Sequence, residues 1–174
     1  MESLLGQQKE WDELQKLFQT MISATVKSRI ILHLEQGQTS RILLRTRIPE
    51  FRIPRRLNEN ESLLWIEQNQ RCISLLYLGM REFRSDDLNA IVFGYAWTHS
   101  DFRGQGWSKW LRLLTIAYAE QVGIPYVISL PFEGALSNSL LDSLAFEYEG
   151  KTRYLSIQDL DIKAYLSLHF PKGK

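Results

Sequence analysis

The chain is poor in cysteine, in histidine and in charge of any one sign. Cys72 is the only cysteine among 174 residues, so no disulfide can form within the chain, and a lone thiol fits a reducing compartment such as the cytoplasm. His33, His99 and His169 lie far apart in sequence and make no ligand pair with Cys72, so no metal is expected. The 21 Lys+Arg against 20 Asp+Glu leave a formal net charge of +1. No global field then draws the molecule to nucleic acid or to an anionic membrane, and any charge-based binding must be local. Apolar runs long enough to span a bilayer are absent, and Met1 to Leu14 shows no basic segment followed by an apolar one. A soluble, unprocessed protein is expected. Neither internal repeats nor low-complexity linkers divide the chain.

What is present suits one globular domain over residues 1–174, with 44% hydrophobic and 24% charged residues. From Gln8 to Ile22, the residues Trp11, Leu14, Leu17, Phe18, Met21 and Ile22 recur at three- and four-residue steps, the stripe of an amphipathic helix. Ala24 to Gly37 suits a helix or a strand, and a helix is expected. Ser40 to Ile48 is rich in β-formers, and Pro49 and Pro54 then argue against regular structure until about Glu61. Three strands of an antiparallel meander are expected at Leu63 to Gln68, Cys72 to Met80 and Ala90 to Thr98, with turns at Asn69-Gln70-Arg71 and Arg81 to Asn89.

Helical spacing returns after Gly106 through Trp107, Trp110, Leu111, Leu114, Ala117, Tyr118 and Val122, and stops at Gly123 and Pro125. Tyr126 to Leu130 reads as a central strand covered on both faces. A short helix from Leu136 to Ala145 and a last strand near Ala164 to Phe170 complete the pattern. The expected class is α/β, a mixed, mainly antiparallel central sheet flanked by helices.

The chemically informative segment runs from Thr98 to Ser108, between a strand and the long helix. Its glycines allow a sharp turn and close approach to a ligand, while the free N–H groups and dipole of the helix start favour an anion. A tight turn made only for geometry is the plainer alternative. Arg103, Gly106 and Ser108 are spaced as Arg or Gln, two residues, Gly, one residue, Gly or Ala, and the whole segment resembles motif A of the GNAT superfamily of acetyl-CoA-dependent N-acetyltransferases. That resemblance implies a GNAT-like fold in which the backbone of Gly104, Gln105, Gly106, Trp107 and Ser108 cradles the pyrophosphate of acetyl-CoA or another acyl-CoA. It also implies that Trp97, Thr98 and His99 stand where the strand splays from its neighbour and pairs with the pantetheine arm. Ser108 departs from the usual Gly or Ala, and Trp107 stands where a small aliphatic residue is common, as core or as a wall of the acyl pocket.

Leu136 to Phe146 is similar to motif B of the same family. Aligned on Phe146, Leu141 replaces the tyrosine that often protonates the departing thiolate, Ala145 replaces a glycine, and Gly134 falls where asparagine is frequent. The resemblance spans Leu63 to Phe170; residues 1–60 form an atypical N-terminal region expected to be helical and to lie on the acceptor side. Its helices can cover the acceptor site, form a homodimer contact or complete the core.

Acyl transfer to an amine needs a neutral nucleophile, donors for the thioester oxyanion and a proton for the leaving sulfur. The backbone near Thr98 can supply the oxyanion donor. Glu67 and His99 are candidate bases, and His99 is equally a polar surface group. Asn138 and Ser139 are placed beside the cofactor thiol, Ser139 as a candidate proton donor, with Tyr148 or Tyr118 approaching from neighbouring elements. Cys72, without a basic neighbour in sequence, reads as a core thiol. Arg41, Arg45, Arg47, Arg52, Arg55 and Arg56 make a local cationic run suited to an anion or substrate rather than nucleic acid. Three functions remain open: an N-acyltransferase acting on a primary amine of a small molecule or peptide N-terminus, a non-catalytic acyl-CoA-binding module, and an arginine-patch binding protein.

Overall fold

A computed structural model describes residues 8–23, 30–36, 61–130 and 135–170. Helix α1 (Gln8–Ser23) is followed by strands β1 (Ile30–Gln36), β2 (Ser62–Gln68), β3 (Arg71–Glu82) and β4 (Leu88–Thr98). Helix α2 (Trp107–Gln121), β5 (Tyr126–Ser129), α3 (Ala135–Ser143), β6 (Glu147–Glu149), β7 (Thr152–Ser156) and α4 (Ile162–His169) complete the order. The strands form a seven-stranded sheet in the order β1-β2-β3-β4-β5-β7-β6. All neighbours are antiparallel except β4 and β5, which run parallel. A parallel pair needs a crossover, and α2 supplies it.

The meander strands fall on the expected apolar runs, and β2 and β3 are buried along nearly their whole length. Gln68 pairs with Arg71 across a two-residue turn in which Asn69 and Gln70 both take positive φ, the twist a tight hairpin demands. Helix α2 is buried almost all round, from Trp110 through Ala119, as befits a helix lodged between the sheet and two other helices. Phe18 of α1, Tyr165 of α4 and Ile73, Leu76, Ile91 and Phe93 of the sheet join it in the main core.

Two expected elements differ. The segment expected as helix between Ala24 and Gly37 holds strand β1 at Ile30–Gln36, so the N-terminal region is not wholly helical. The strand pairs with β2 in register from Ile30↔Gln68 to Gln36↔Ser62, and Ile30 and Leu32 are buried in the main core with Leu14 and Phe18 of α1. Helix α1 guards this strand: Gln19 Nε2 donates to Ile30 O (3.2 Å) and Gln15 Nε2 to Leu32 O (3.4 Å), covering carbonyls an edge strand would leave open.

The expected last strand, Ala164 to Phe170, is instead helix α4. Asp161 caps it by accepting from Ala164 N (3.1 Å), and Tyr165 turns inward to donate to Leu144 O (2.8 Å). The closing strands are the β6–β7 hairpin, turned at Gly150 with φ 60°. The β-rich run Ser40 to Ile48, the prolines Pro49 and Pro54 and the arginines Arg41 to Arg56 lie outside the described residues.

Candidate functional site

Strands β4 and β5 are paired over only four residues each, from Ala90↔Tyr126 to Phe93↔Ser129. There β5 ends, while β4 runs on to Thr98 with β3 as its partner. The parting is built into β4 by a bulge: Gly94 and Tyr95 together stand opposite Tyr77, between the pairs Phe93↔Leu78 and Ala96↔Leu76. An extra residue bends its strand and re-aims the residues beyond it. A Cβ on Gly94 would lie 3.0 Å from Tyr77 Cβ and 3.3 Å from Tyr77 O, so only glycine lets the two strands approach there.

Past the bulge, His99 N donates to Ile73 O (2.9 Å). Because backbone groups alternate along an antiparallel ladder, the N–H groups of Ala96 and Thr98 then point away from β3, to the side β5 has vacated. Ser74 Oγ pins the strand end, donating to Trp97 O (3.1 Å) and lying 2.9 Å from Thr98 Oγ1. The result is a V-shaped opening, one wall of which is a rigid strand edge.

The loop after Thr98 is held by its own side chains. His99 Nδ1 accepts from Asp101 N (3.2 Å) and so caps a short turn, Ser100–Phe102. That bond needs a bare Nδ1, whereas an ion pair with Asp101 at 3.7 Å would need a protonated one. The shorter, directed bond is the one the geometry favours, so Nδ1 acts as an acceptor. Arg103 Nε donates to Thr98 O (3.2 Å), Gln105 Nε2 to Asp101 O (3.3 Å) and Trp107 Nε1 to Gln105 Oε1 (3.2 Å). Gly104 and Gly106 take φ of 76° and 83°, open to glycine without the Cβ penalty. Trp107 is buried in the main core.

The first turn of α2 is chemically incomplete. Gly106 precedes it with no side-chain cap, no acidic residue stands in the turn, and the ladder begins with Trp110 N to Gly106 O (3.0 Å). The N–H groups of Trp107, Ser108 and Lys109 therefore have no partner within the helix, and together with the positive end of the helix dipole they make a helix start that favours a phosphate. One turn on lies Arg112, 4% exposed. Burial lowers its pKa to about 10.

On the far side of the opening, Arg153 of β7 pairs in register with Ser129, the last residue of β5. Its Nη1 donates to Asn138 O (2.9 Å) and meets Asp142 Oδ1 (2.9 Å), and its Nη2 donates to the Tyr148 hydroxyl. This strap ties the middle of α3 to β7 at the residue paired with the end of β5, and Asn138 and Ser139 are exposed. Tyr148 stands farther out, on the edge strand β6, and is 64% exposed. Leu141 is core at 3% exposure, and Tyr118 is likewise buried. Ala145 takes φ 58° in the closing turn of α3, where Phe146 N donates to Leu141 O (3.2 Å).

A second group lies on the sheet face that carries Trp65, Leu75 and Trp97. Glu67 is buried on β2, and His33 Nε2 is 2.9 Å from its Oε2, with the imidazole stacked 4.0 Å from the Trp65 ring. The pairing of His33 with Glu67 is not legible in the sequence, because it depends on the unexpected strand β1. Cys72 beside them is buried, its thiol pushed up to about 12 chiefly by desolvation. Among the described residues no group of His, Cys, Asp and Glu could hold a metal ion, and no helix is long and apolar enough to cross a membrane.

No protein-family model matches this chain, and no curated protein matches it in sequence. Solved structures do match in shape. One is the ribosomal-protein-S18-alanine N-acetyltransferase from Escherichia coli, 13% identical, covering 73% of this chain and 94% of that one at a TM-score of 0.54. A GNAT family N-acetyltransferase from Escherichia coli in complex with CoA is 15% identical over 85% of this chain and 89% of its own, TM-score 0.52. The AtaTR complex bound with acetyl-CoA is 12% identical over 80% and 98%, TM-score 0.55. The chain has the GNAT fold: a mixed, mostly antiparallel sheet flanked by helices.

Proposed function

We propose that the protein is an acyl-CoA-dependent N-acyltransferase that passes an acetyl or other short acyl group to a primary amine of a small molecule or a peptide N-terminus. One observation carries this reading: the parting of β4 from β5 opens directly beside a helix start that has no side-chain cap and no acidic residue. A strand edge and an anion cradle thus meet in one opening, matching a ligand with an amide-bearing arm and a diphosphate.

In this reading the pyrophosphate lies on the N–H groups from Gly104 to Lys109, with Arg103, Gln105 and Ser108 lining it and Trp107 anchoring the loop in the core. The pantetheine arm pairs with Ala96 to Thr98, Trp97 included, and passes Asn138. Bound acyl-CoA supplies the activated thioester. The N–H of Thr98 or Ala96 donates to the thioester oxygen as negative charge develops there, at no cost in reorganisation because the strand is fixed.

His99 serves chiefly to hold the loop, since its Nδ1 lone pair is already taken by Asp101 N. Glu67, oriented by His33, is the proposed base. It stands two strands from β4, about 10 Å by strand spacing, so it takes the amine proton through water. Ser139 at the mouth of the opening is the proposed donor to the leaving thiolate. Tyr148 is the alternative, because its hydroxyl accepts from Arg153 and keeps its own proton to give.

Thermal unfolding with and without acetyl-CoA, against ATP as a control, tests the cofactor assignment. Ligand at a hundred times its Kd adds about 2.7 kcal/mol to the native state. A shift with acetyl-CoA and none with ATP, followed by thiol release with an amine panel, is the expected result. No shift with any CoA species would sink the proposal. A second reading, a CoA-binding module without turnover, is favoured by the buried Leu141 in place of the family's tyrosine; it expects the shift but no thiol release with any amine.

A further inference from the structure

Arg112 is a buried cation that the free protein leaves poorly compensated. It lies in a stretch of α2 that is otherwise mostly apolar, with its residue 4% exposed and no carboxylate paired with it among the described residues. Its Nη1 donates to Ser108 O (3.1 Å) and to Ser108 Oγ, and its buried Nε has no hydrogen-bond partner. The guanidinium lies 5.5 Å from the centre of the Phe93 ring. Phe93 belongs to the last β4–β5 pair, so the charge sits beneath the point where the two strands part.

Each of these surroundings is poor for a cation when the opening holds only water. Desolvation of an unpaired charge costs several kcal/mol. The helix start adds repulsion, since its dipole presents partial positive charge to the same region. One hydroxyl and one carbonyl satisfy part of the guanidinium, and the aromatic face contributes only modestly. Among the described residues the arrangement lacks an anion, and so do the uncapped N–H groups of the same turn.

Ser108 links the two. A hydroxyl has one proton, and when its oxygen accepts from Arg112 the proton is left to point elsewhere. That proton is available to an acceptor elsewhere, such as a phosphate oxygen held at the same helix start.

We propose that Arg112 is a positioning residue for the diphosphate of the acyl donor: it fixes the Ser108 hydroxyl as a phosphate donor and places a full positive charge under the cradle. This rests on the reading of the loop as an acyl-CoA site. It assigns a use to both residues, serine at the position where a small side chain would suffice and arginine where the helix otherwise buries apolar ones. The same cation raises the free energy of the ligand-free protein, so ligand binding relieves a strain that a neutral side chain would not have.

The test uses the full chain with Arg112→Met, which keeps the length and removes the charge, and Ser108→Ala as a second variant if the first folds poorly. Affinities for acetyl-CoA and for S-acetylpantetheine, which lacks the diphosphate, are measured by calorimetry beside the ligand-free melting temperature. Charge-assisted hydrogen bonds of this kind are worth about tenfold or more in affinity. Arg112→Met is expected to weaken acetyl-CoA by that factor, to leave S-acetylpantetheine unchanged and to melt higher than wild type without ligand. Ser108→Ala is expected to lose part of the same factor, again only for acetyl-CoA. Wild type that binds acetyl-CoA while both variants bind it equally well, or variants that lose both ligands alike, would overturn the inference and leave Arg112 a structural residue. Wild type that binds no CoA species would instead overturn the acyl-CoA reading on which it rests.

Discussion

Replacing Gly94 by alanine tests whether the opening between β4 and β5 is imposed by the bulge. The added methyl would sit 3.0 Å from Tyr77 Cβ and 3.3 Å from the Tyr77 carbonyl oxygen. Both obstacles belong to the neighbouring strand at or next to its backbone, so neither can swing away as a side-chain tip would. Relief requires β3 or β4 to move by a few tenths of an ångström within a close-packed sheet, and over-packing of this kind costs about 1–3 kcal/mol. Gly79→Ala is the internal control, because its Cβ would meet only the Val92 Cγ1 methyl at 3.1 Å and the flexible Glu61 Cγ at 3.8 Å.

Urea unfolding gives the stability difference. With a slope of about 2 kcal/mol/M for a small protein, a loss near 2 kcal/mol lowers the midpoint by about 1 M with the slope unchanged. Acetyl-CoA titration of the folded variant then reads the site itself. Straightening β4 would turn the N–H groups of Ala96 and Thr98 away from the ligand, so Gly94→Ala should lose at least tenfold in affinity while Gly79→Ala keeps it. If the two variants cost the same stability and both retain wild-type affinity, the bulge does not create the opening and the reasoning fails.

Ala145→Gly should stabilise the protein by about 1 kcal/mol, since a non-glycine residue held at φ 58° pays a steric cost that glycine does not; an unchanged urea midpoint would count against the closing turn of α3 as described. Glu67→Gln should lower kcat at least tenfold with little change in the acetyl-CoA thermal shift, the pattern of a lost base rather than lost binding. Iodoacetamide at pH 8 should leave Cys72 unmodified until urea unfolds the chain, because burial pushes its thiol up to about 12. The pH dependence of Arg112 has a definite sign. Burial lowers its folded-state pKa to about 10 while the unfolded chain stays protonated higher. The destabilising cost is therefore present in full below pH 10 and fades above it, so the stability advantage of Arg112→Met should be the same at pH 7 and pH 8.5 and shrink above pH 10.

Where a segment's structure follows from its own residues, the sequence was enough. The stripe of α1, the meander strands with the Asn69-Gln70 turn, helix α2 and strand β5 all declare themselves by local period and by their stop signals. The glycine turn before α2 was legible for the same reason, since positive φ at Gly104 and Gly106 is a local demand. Local pattern was insufficient where the partner decides. Ile30–Gln36 carries an apolar run that suits either state, and pairing with β2 makes it a strand. Ile162–His169 is too short for its period to be convincing, and the docking of Tyr165 on Leu144 makes it a helix.

The site divides along the same line. Residues from Thr98 to Ser108 are contiguous, so the candidate loop could be picked out as one segment along the chain. Its other parts arise only when distant segments meet: the parting of β4 from β5 depends on Gly94 facing Tyr77, the Glu67–His33 pair on β1 joining β2, and the strap on Arg153 reaching Asn138 and Tyr148. Arg112 shows the limit most clearly. In sequence it is one more charged residue on a helix; only the packing of α2 against Phe93 reveals that its charge is buried with no carboxylate paired to it among the described residues. Local period and turn chemistry act over a few residues and survive in the sequence, whereas burial and charge compensation are properties of the assembled core and exist only once the chain has folded.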